Sequence, residues 1–157
     1  MGQQQLLLLV LGIVIVGLAV VAGINAFDEN QQKSSEDALT NEAFRLASDA
    51  KAWYNKPEQY DGGGSDASNL SSIAWQDIGV QAGSIEGGDA TDASGQYDTP
   101  WGDVEMTQGN PLEFDLRTTQ GDSTEVFGTV EFDPSNSAGD QIQFTRGSSG
   151  SGSSSSS

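Results

Sequence analysis

From Leu6 to Ile24 the chain runs through 19 consecutive residues drawn only from Leu, Val, Ile, Ala and Gly, fourteen of them Leu, Ile or Val. A helix rising ~1.5 Å per residue makes this run roughly 29 Å long, the length needed to cross the ~30 Å hydrocarbon core of a bilayer. Each Leu, Ile or Val at about −0.3 to −0.6 kcal/mol favours insertion, and no charge opposes it. In water the same run would drive association with other apolar surface. A polar stretch from Asp28 to Tyr54 follows without Pro or Gly, so the helix has no reason to break. Within it Leu39, Ala43, Leu46, Ala50 and Trp53 recur at alternating spacings of four and three, which places them on one helical stripe that Phe44, Ala47 and Tyr54 widen. Pro57 and Asp61-Gly62-Gly63-Gly64-Ser65 end it. A helix from Gln3 to about Lys56 would be roughly 80 Å long.

The helix is therefore apolar all round at first and apolar on one face afterwards, and its two halves need different neighbours. The remaining sequence supplies strands for the second half. Ser72–Val80, Asp103–Thr107, Leu112–Thr118, Thr124–Phe132 and Gln141–Thr145 are the candidates, the last two alternating imperfectly with period two. Between them Gly109-Asn110-Pro111, Gly121-Asp122 and Asp133-Pro134-Ser135-Asn136 carry turn chemistry. The expectation is an α+β chain, a long helix packed by a small antiparallel sheet. Its segments are 1–27 (apolar half-helix), 28–56 (amphipathic half-helix), 57–146 (loop and sheet) and 147–157 (a flexible Gly/Ser tail).

Composition narrows the chemistry. The 157 residues include no Cys and no His, which removes disulfides, thiol nucleophiles, imidazole bases and ordinary zinc sites. Against 23 Asp and Glu stand six Lys and Arg, a formal charge of −17. A potential of that sign repels nucleic acid and anionic lipid. The acids are spread along the chain rather than gathered in a tail, the distribution expected of a surface tuned to high salt in a halophilic source, the alternative being an ordinary acidic extracellular protein.

The carboxylates invite a search for metal or catalytic sites. Asp61, Asp66 and Asn69 form a loose oxygen-rich loop, and Asp89, Asp92, Asp98 and Asp103 a second group. Neither has the alternating spacing and closing Glu of an EF-hand, so both read as acidic loops without metal. With this many acids, chance pairs are expected, and none marks a catalytic acid and base; no enzyme and no cofactor are expected. Gly62-Gly63-Gly64 lacks the Lys and strand-to-helix context of a phosphate loop and reads as a linker.

The apolar run departs from a cleavable secretory signal: no Lys or Arg precedes Leu6, the run is long, and Ile24-Asn25-Ala26 puts a bulky residue where a small one belongs. The segment is expected to be retained, with the acidic bulk outside. Small residues thread it, and Ala19 with Gly23, and Ala22 with Ala26, have the four-residue spacing that allows close helix contact.

An extreme N-terminal apolar helix running into an amphipathic one, followed by a small sheet, resembles the type IV pilin family. In that family a prepilin peptidase cuts after a glycine just before the hydrophobic run, and Gly2-Gln3 matches that position, so the resemblance implies a mature chain starting Gln3-Gln4-Gln5-Leu6. The glutamate usual five residues into a mature pilin is Leu7 here, so any register it sets would come instead from hydrogen bonds of Gln3, Gln4 and Gln5. Tyr97-Asp98-Thr99-Pro100-Trp101-Gly102 looks like the Pro-Trp-Gly turn that precedes pilin sheet strands, while the cysteine pair of many pilins is absent. The resemblance implies a structural subunit of an extracellular helical filament for adhesion or motility. Such a subunit is held in the inner (cytoplasmic) membrane before assembly, is served by the peptidase and the pilus assembly machinery, and polymerises with its own kind. Leu6, Leu9, Gly12, Ile13, Val16, Gly17, Val20, Gly23 and Ile24 would pack the filament core, and Leu39, Ala43, Leu46, Ala50 and Trp53 would hold the sheet. A monomeric membrane-anchored extracytoplasmic binding domain and a pseudopilin of a secretion system are the alternatives.

Overall fold

The computed structural model describes residues 2–118 and 126–147. Helix α1 runs Gly2–Asn55, and six strands follow: β1 Ile85–Glu86, β2 Gln96–Thr99, β3 Gly102–Thr107, β4 Leu112–Thr118, β5 Val126–Phe132 and β6 Ile142–Arg146. The fold is α+β, with an open antiparallel sheet in the order β1-β2-β3-β4-β5-β6, so every strand pairs with its neighbours in sequence. The chain divides into two units, residues 1–34 and 35–157.

In the second unit the helical stripe is the floor of the core. Leu39, Ala43, Leu46, Ala47 and Ala50 are fully buried, and Trp53 and Tyr54 pack partly buried against the same cluster. The facing surface is built by alternation: Val104 and Met106 from β3, Leu112, Phe114 and Leu116 from β4, and Val130 and Phe132 from β5 are buried while their neighbours are not. Val104 pairs with Leu116 and Phe114 with Val130, which stacks apolar rows across the sheet. Small Ala43, Ala47 and Ala50 lie among the larger Leu39 and Leu46, so the buried helix face alternates small and large side chains. Phe44, on the rim of the stripe, is 37% exposed and meets Phe144 of β6 with ring centroids 6.5 Å apart.

Three expectations change. Ser72–Val80 is not a strand: Trp75–Ile78 is a short 3₁₀ turn ended by Gly79 at φ +80°. Together with Leu70 of the preceding 67–72 turn, its residues Ile73, Trp75, Ile78 and Val80 are spaced three, two, three and two apart, between the strand and helix periods, and all five are buried. Trp75 is the centre of this second layer; its indole N–H donates to the Ser94 carbonyl at 3.2 Å, and its ring meets Tyr97 and Phe114 at 6.2 and 6.5 Å. The first two strands, Ile85–Glu86 and Gln96–Thr99, were not anticipated, because each is too short to show a period.

Gly62-Gly63-Gly64 is no linker either. The Gly63 N–H donates to the Trp53 carbonyl at 2.9 Å, Gly64 to Lys56 at 2.9 Å and Ser65 to Tyr54 at 2.8 Å, so the loop folds back to satisfy the last carbonyls of α1. A Cβ at Gly62 would lie 2.2 Å from the Lys56 oxygen, which is why glycine stands there.

The remaining expected strands hold within a residue or two. Pro100 and Trp101 form the two-residue loop between β2 and β3, where Thr99 pairs with Gly102 and donates its hydroxyl to the Gly102 carbonyl at 2.6 Å. Gly102 has φ +151°, and a Cβ there would lie 2.1 Å from the Arg117 carbonyl. The start of the expected strand Thr124–Phe132 and the Gly121-Asp122 turn lie outside the described residues, as does the tail from 148 on. Gly147 donates its N–H to the Phe127 carbonyl at 2.8 Å and so continues the sheet.

Leu46→Ala is expected to cost about 2–5 kcal/mol of stability through the cavity it leaves, while Phe44→Ala at the half-exposed rim costs less than half as much. Denaturant unfolding monitored by tryptophan fluorescence separates the two.

Candidate functional site

In the first unit the apolar run is exposed along its whole length. All fourteen Leu, Ile and Val side chains between Leu6 and Ile24 are 50–69% exposed, among them Leu6, Leu9, Ile13, Val16, Val20 and Ile24. A Cβ added at Gly12, Gly17 or Gly23 would meet nothing within 4 Å, so these glycines mark open, low-relief positions on the helix surface. Gly2 opens the helix with the same open space around it, and Gln3 beside it is exposed. This helix is long and apolar enough to cross a membrane. An uncovered stripe of fourteen large apolar side chains far exceeds the patch a monomeric protein leaves in water, so the segment is an interaction surface. Leu39, Ala43, Leu46, Ala50 and Trp53, by contrast, belong to the interior of the sheet unit.

The charged groups are organised differently. The face of the sheet turned away from α1 carries Glu86, Asp98, Asp103, Glu105, Glu113, Asp115 and Glu131, with Arg117 as its basic residue. Three cross-strand pairs on it are like-charged, Asp98 with Asp103, Glu105 with Asp115 and Glu113 with Glu131. Arg117 pairs with Glu105 at 2.5 Å, and the Thr129 hydroxyl donates to Asp115 at 2.6 Å. Asp103 holds its proton above the usual carboxylate range, first because it is partly desolvated and then because Asp98 and Glu86 repel its charge, with Arg117 opposing.

On the helix side Arg45 bridges Glu42 at 2.6 Å and Asp49 at 3.0 Å, and the Tyr97 hydroxyl donates to Glu42 at 3.1 Å. The Arg45 hydrogen bond holds the Glu42 carboxyl below its ordinary range, and burial, helped by the Glu42 charge, pushes the Tyr97 phenol up. Arg146 of β6 pairs with Glu36 of α1.

The loop acids weighed as metal ligands serve local turns. Asp66, Asp92 and Asp133 each accept from both the backbone N–H and the hydroxyl of the serine two residues on, Ser68, Ser94 and Ser135. Those bonds lower the Asp66 and Asp92 carboxyls, the hydroxyl contributing most. The common pattern is Asp-X-Ser, visible in the sequence three times; its turn character was read at Asp133 and missed at Asp66 and Asp92, which were weighed only as ligands. Asp61 sits at φ +59° and donates its N–H to the Glu58 carbonyl at 3.0 Å, ending the short 58–60 turn. Among the described residues no three carboxylates converge on a point where a metal ion would sit.

No protein-family model, curated protein or solved structure matches the chain. The architecture, a long N-terminal apolar helix and a small antiparallel sheet, is compatible with a pilin-like fold.

The electrostatics of the sheet face carry a sign. The folded chain binds the Asp103 proton more tightly than the unfolded chain does, so this residue favours folding when protonated. That contribution is lost as pH rises from the ordinary aspartate range through the raised folded value. Asp103→Asn is therefore expected to melt higher than the parent at pH 7 and low salt, with the gap closing at about pH 3 and narrowing in molar salt. Thermal melts across pH and salt measure it.

Proposed function

We propose that this chain is the structural subunit of an extracellular helical filament, inserted in the cytoplasmic membrane through α1 before assembly and extruded from it afterwards. The observation that carries the reading is the uniform exposure of the Leu6–Ile24 side chains. In a bilayer these side chains are solvated by lipid; in a filament they are solvated by the same segment of other copies, and the transfer between two apolar surroundings has a small hydrophobic cost. Compared with water, burying fourteen such side chains at ~1.5–3 kcal/mol each stabilises the assembly by tens of kcal/mol before entropy is counted. Gly12, Gly17 and Gly23 let neighbouring backbones approach.

The role is structural rather than catalytic, with further copies of the chain as partners. A contact that does not close on itself propagates as an open helix. The sheet unit, whose interior is complete without a neighbour, rides along as the exposed part, and its acidic face suits contact with water rather than with nucleic acid. Removal of Met1-Gly2 by a prepilin peptidase follows from the likeness to pilins, as does use for adhesion or motility.

Shearing cells and imaging the released material tests the reading: rods containing this chain are expected, and a chain that stays in the detergent-extracted membrane as a monomer defeats it. Gly17→Glu is expected to abolish rods while leaving the melting of the sheet unit unchanged, because it puts a charge in the apolar contact and touches nothing in the sheet core. Mass spectrometry of the amino terminus is expected to find Gln3 first.

A further inference from the structure

Two clefts of about 340 and 420 Å³ share Trp53 and Asp77 as common walls. Asp49, Lys56 and Ile78 line the first; Glu58, Asp61, Asn69 and Ser72 line the second. The end of α1, the 57–66 loop, the 67–72 turn and the 75–78 turn converge there, so the lining comes from four segments fixed by backbone hydrogen bonds. Gly63 lets the loop backbone close on the edge of the indole, since a Cβ there would lie 2.9 Å from its Cζ3. The Trp53 Nε1–H is buried and has no acceptor among the described residues. Asn69 is held in place by donating to Glu58 at 3.1 Å and to the Gly63 carbonyl at 3.0 Å.

We propose that these clefts form one binding site for an uncharged saccharide. Four carboxylates, Asp49, Glu58, Asp61 and Asp77, against the single Lys56 disfavour an anion. A simple cation would satisfy the carboxylates but offers nothing to the Lys56 ammonium, which is a donor. An apolar ligand would strip water from the carboxylates without replacing their hydrogen bonds. Sugar hydroxyls both donate and accept, so one ring gives protons to the carboxylates and takes them from Lys56, while its C–H face lies on the indole. The volumes suit a sugar of a few rings. The site is independent of polymerisation: a monomer would carry it equally.

The full chain in detergent micelles, isotopically labelled to report its three indole N–H groups by NMR, provides the test. Chitotriose is expected to shift the Trp53 signal saturably at about millimolar concentration. The same probe is expected to leave Trp75, whose N–H is already donated to Ser94, and Trp101, which is 42% exposed and serves as a control for stacking on any bare indole. Glu58→Ala and Ser72→Tyr, both at surface positions, are expected to weaken binding about fivefold or more without changing the melting temperature. Absence of a shift with chitotriose, cellotriose and maltotriose at 20 mM overturns the proposal. So does an equal shift of Trp101, or a response to choline or trigalacturonate alone.

Discussion

Fourteen large exposed apolar side chains on one helical segment set the terms for this protein. Water is the one neighbour they cannot keep, and the helical backbone makes every other choice possible by satisfying its own hydrogen bonds along the segment. The absence of charge from Leu6 to Ile24 and the scatter of Gly and Ala through it leave lipid or another such helix as suitable surroundings. Any function assigned to the chain must account for this segment first.

The sheet unit answers a different problem, closing a core with few large residues. It lays a stripe of alternating Leu and Ala on the inner rows of β3, β4 and β5 and adds Leu70, Ile73, Trp75 and Ile78 as a side wall. With apolar positions spent inside, acids take the outer rows, where like charges face one another across Asp98–Asp103 and Glu113–Glu131. Salt relieves that repulsion, which gives a physical meaning to a net charge of −17 on a chain with only six basic residues. Three of the basic residues, Arg45, Arg117 and Arg146, are engaged in ion pairs within the unit.

Much of this was legible beforehand where a period ran long enough. The helix to Asn55, its buried stripe and the strands at 112–118 and 126–132 follow from spacing alone, because long elements repeat their pattern several times. The 72–80 stretch misled because a 3₁₀ turn spaces apolar residues at two and three, close enough to strand alternation to pass for it. Gly62–Gly64 looked like a linker in sequence, since nothing in composition announces that its amides return to the carbonyls at the helix end. The clefts beside Trp53 were invisible for a related reason: they are assembled from residues between 49 and 79, and only the fold-back of the glycine loop brings those together.

The strict neighbour-to-neighbour order of the sheet has a kinetic meaning. Every pairing joins segments adjacent in sequence, so closing each one loses little chain entropy, and the sheet can zip from β1 toward β6 without waiting for a distant partner. The helix stripe precedes all six strands in the chain. A polypeptide emerging amino end first therefore presents its template before the strands that need it, and β6, last to arrive, is added at an edge where its late arrival leaves no gap in the middle.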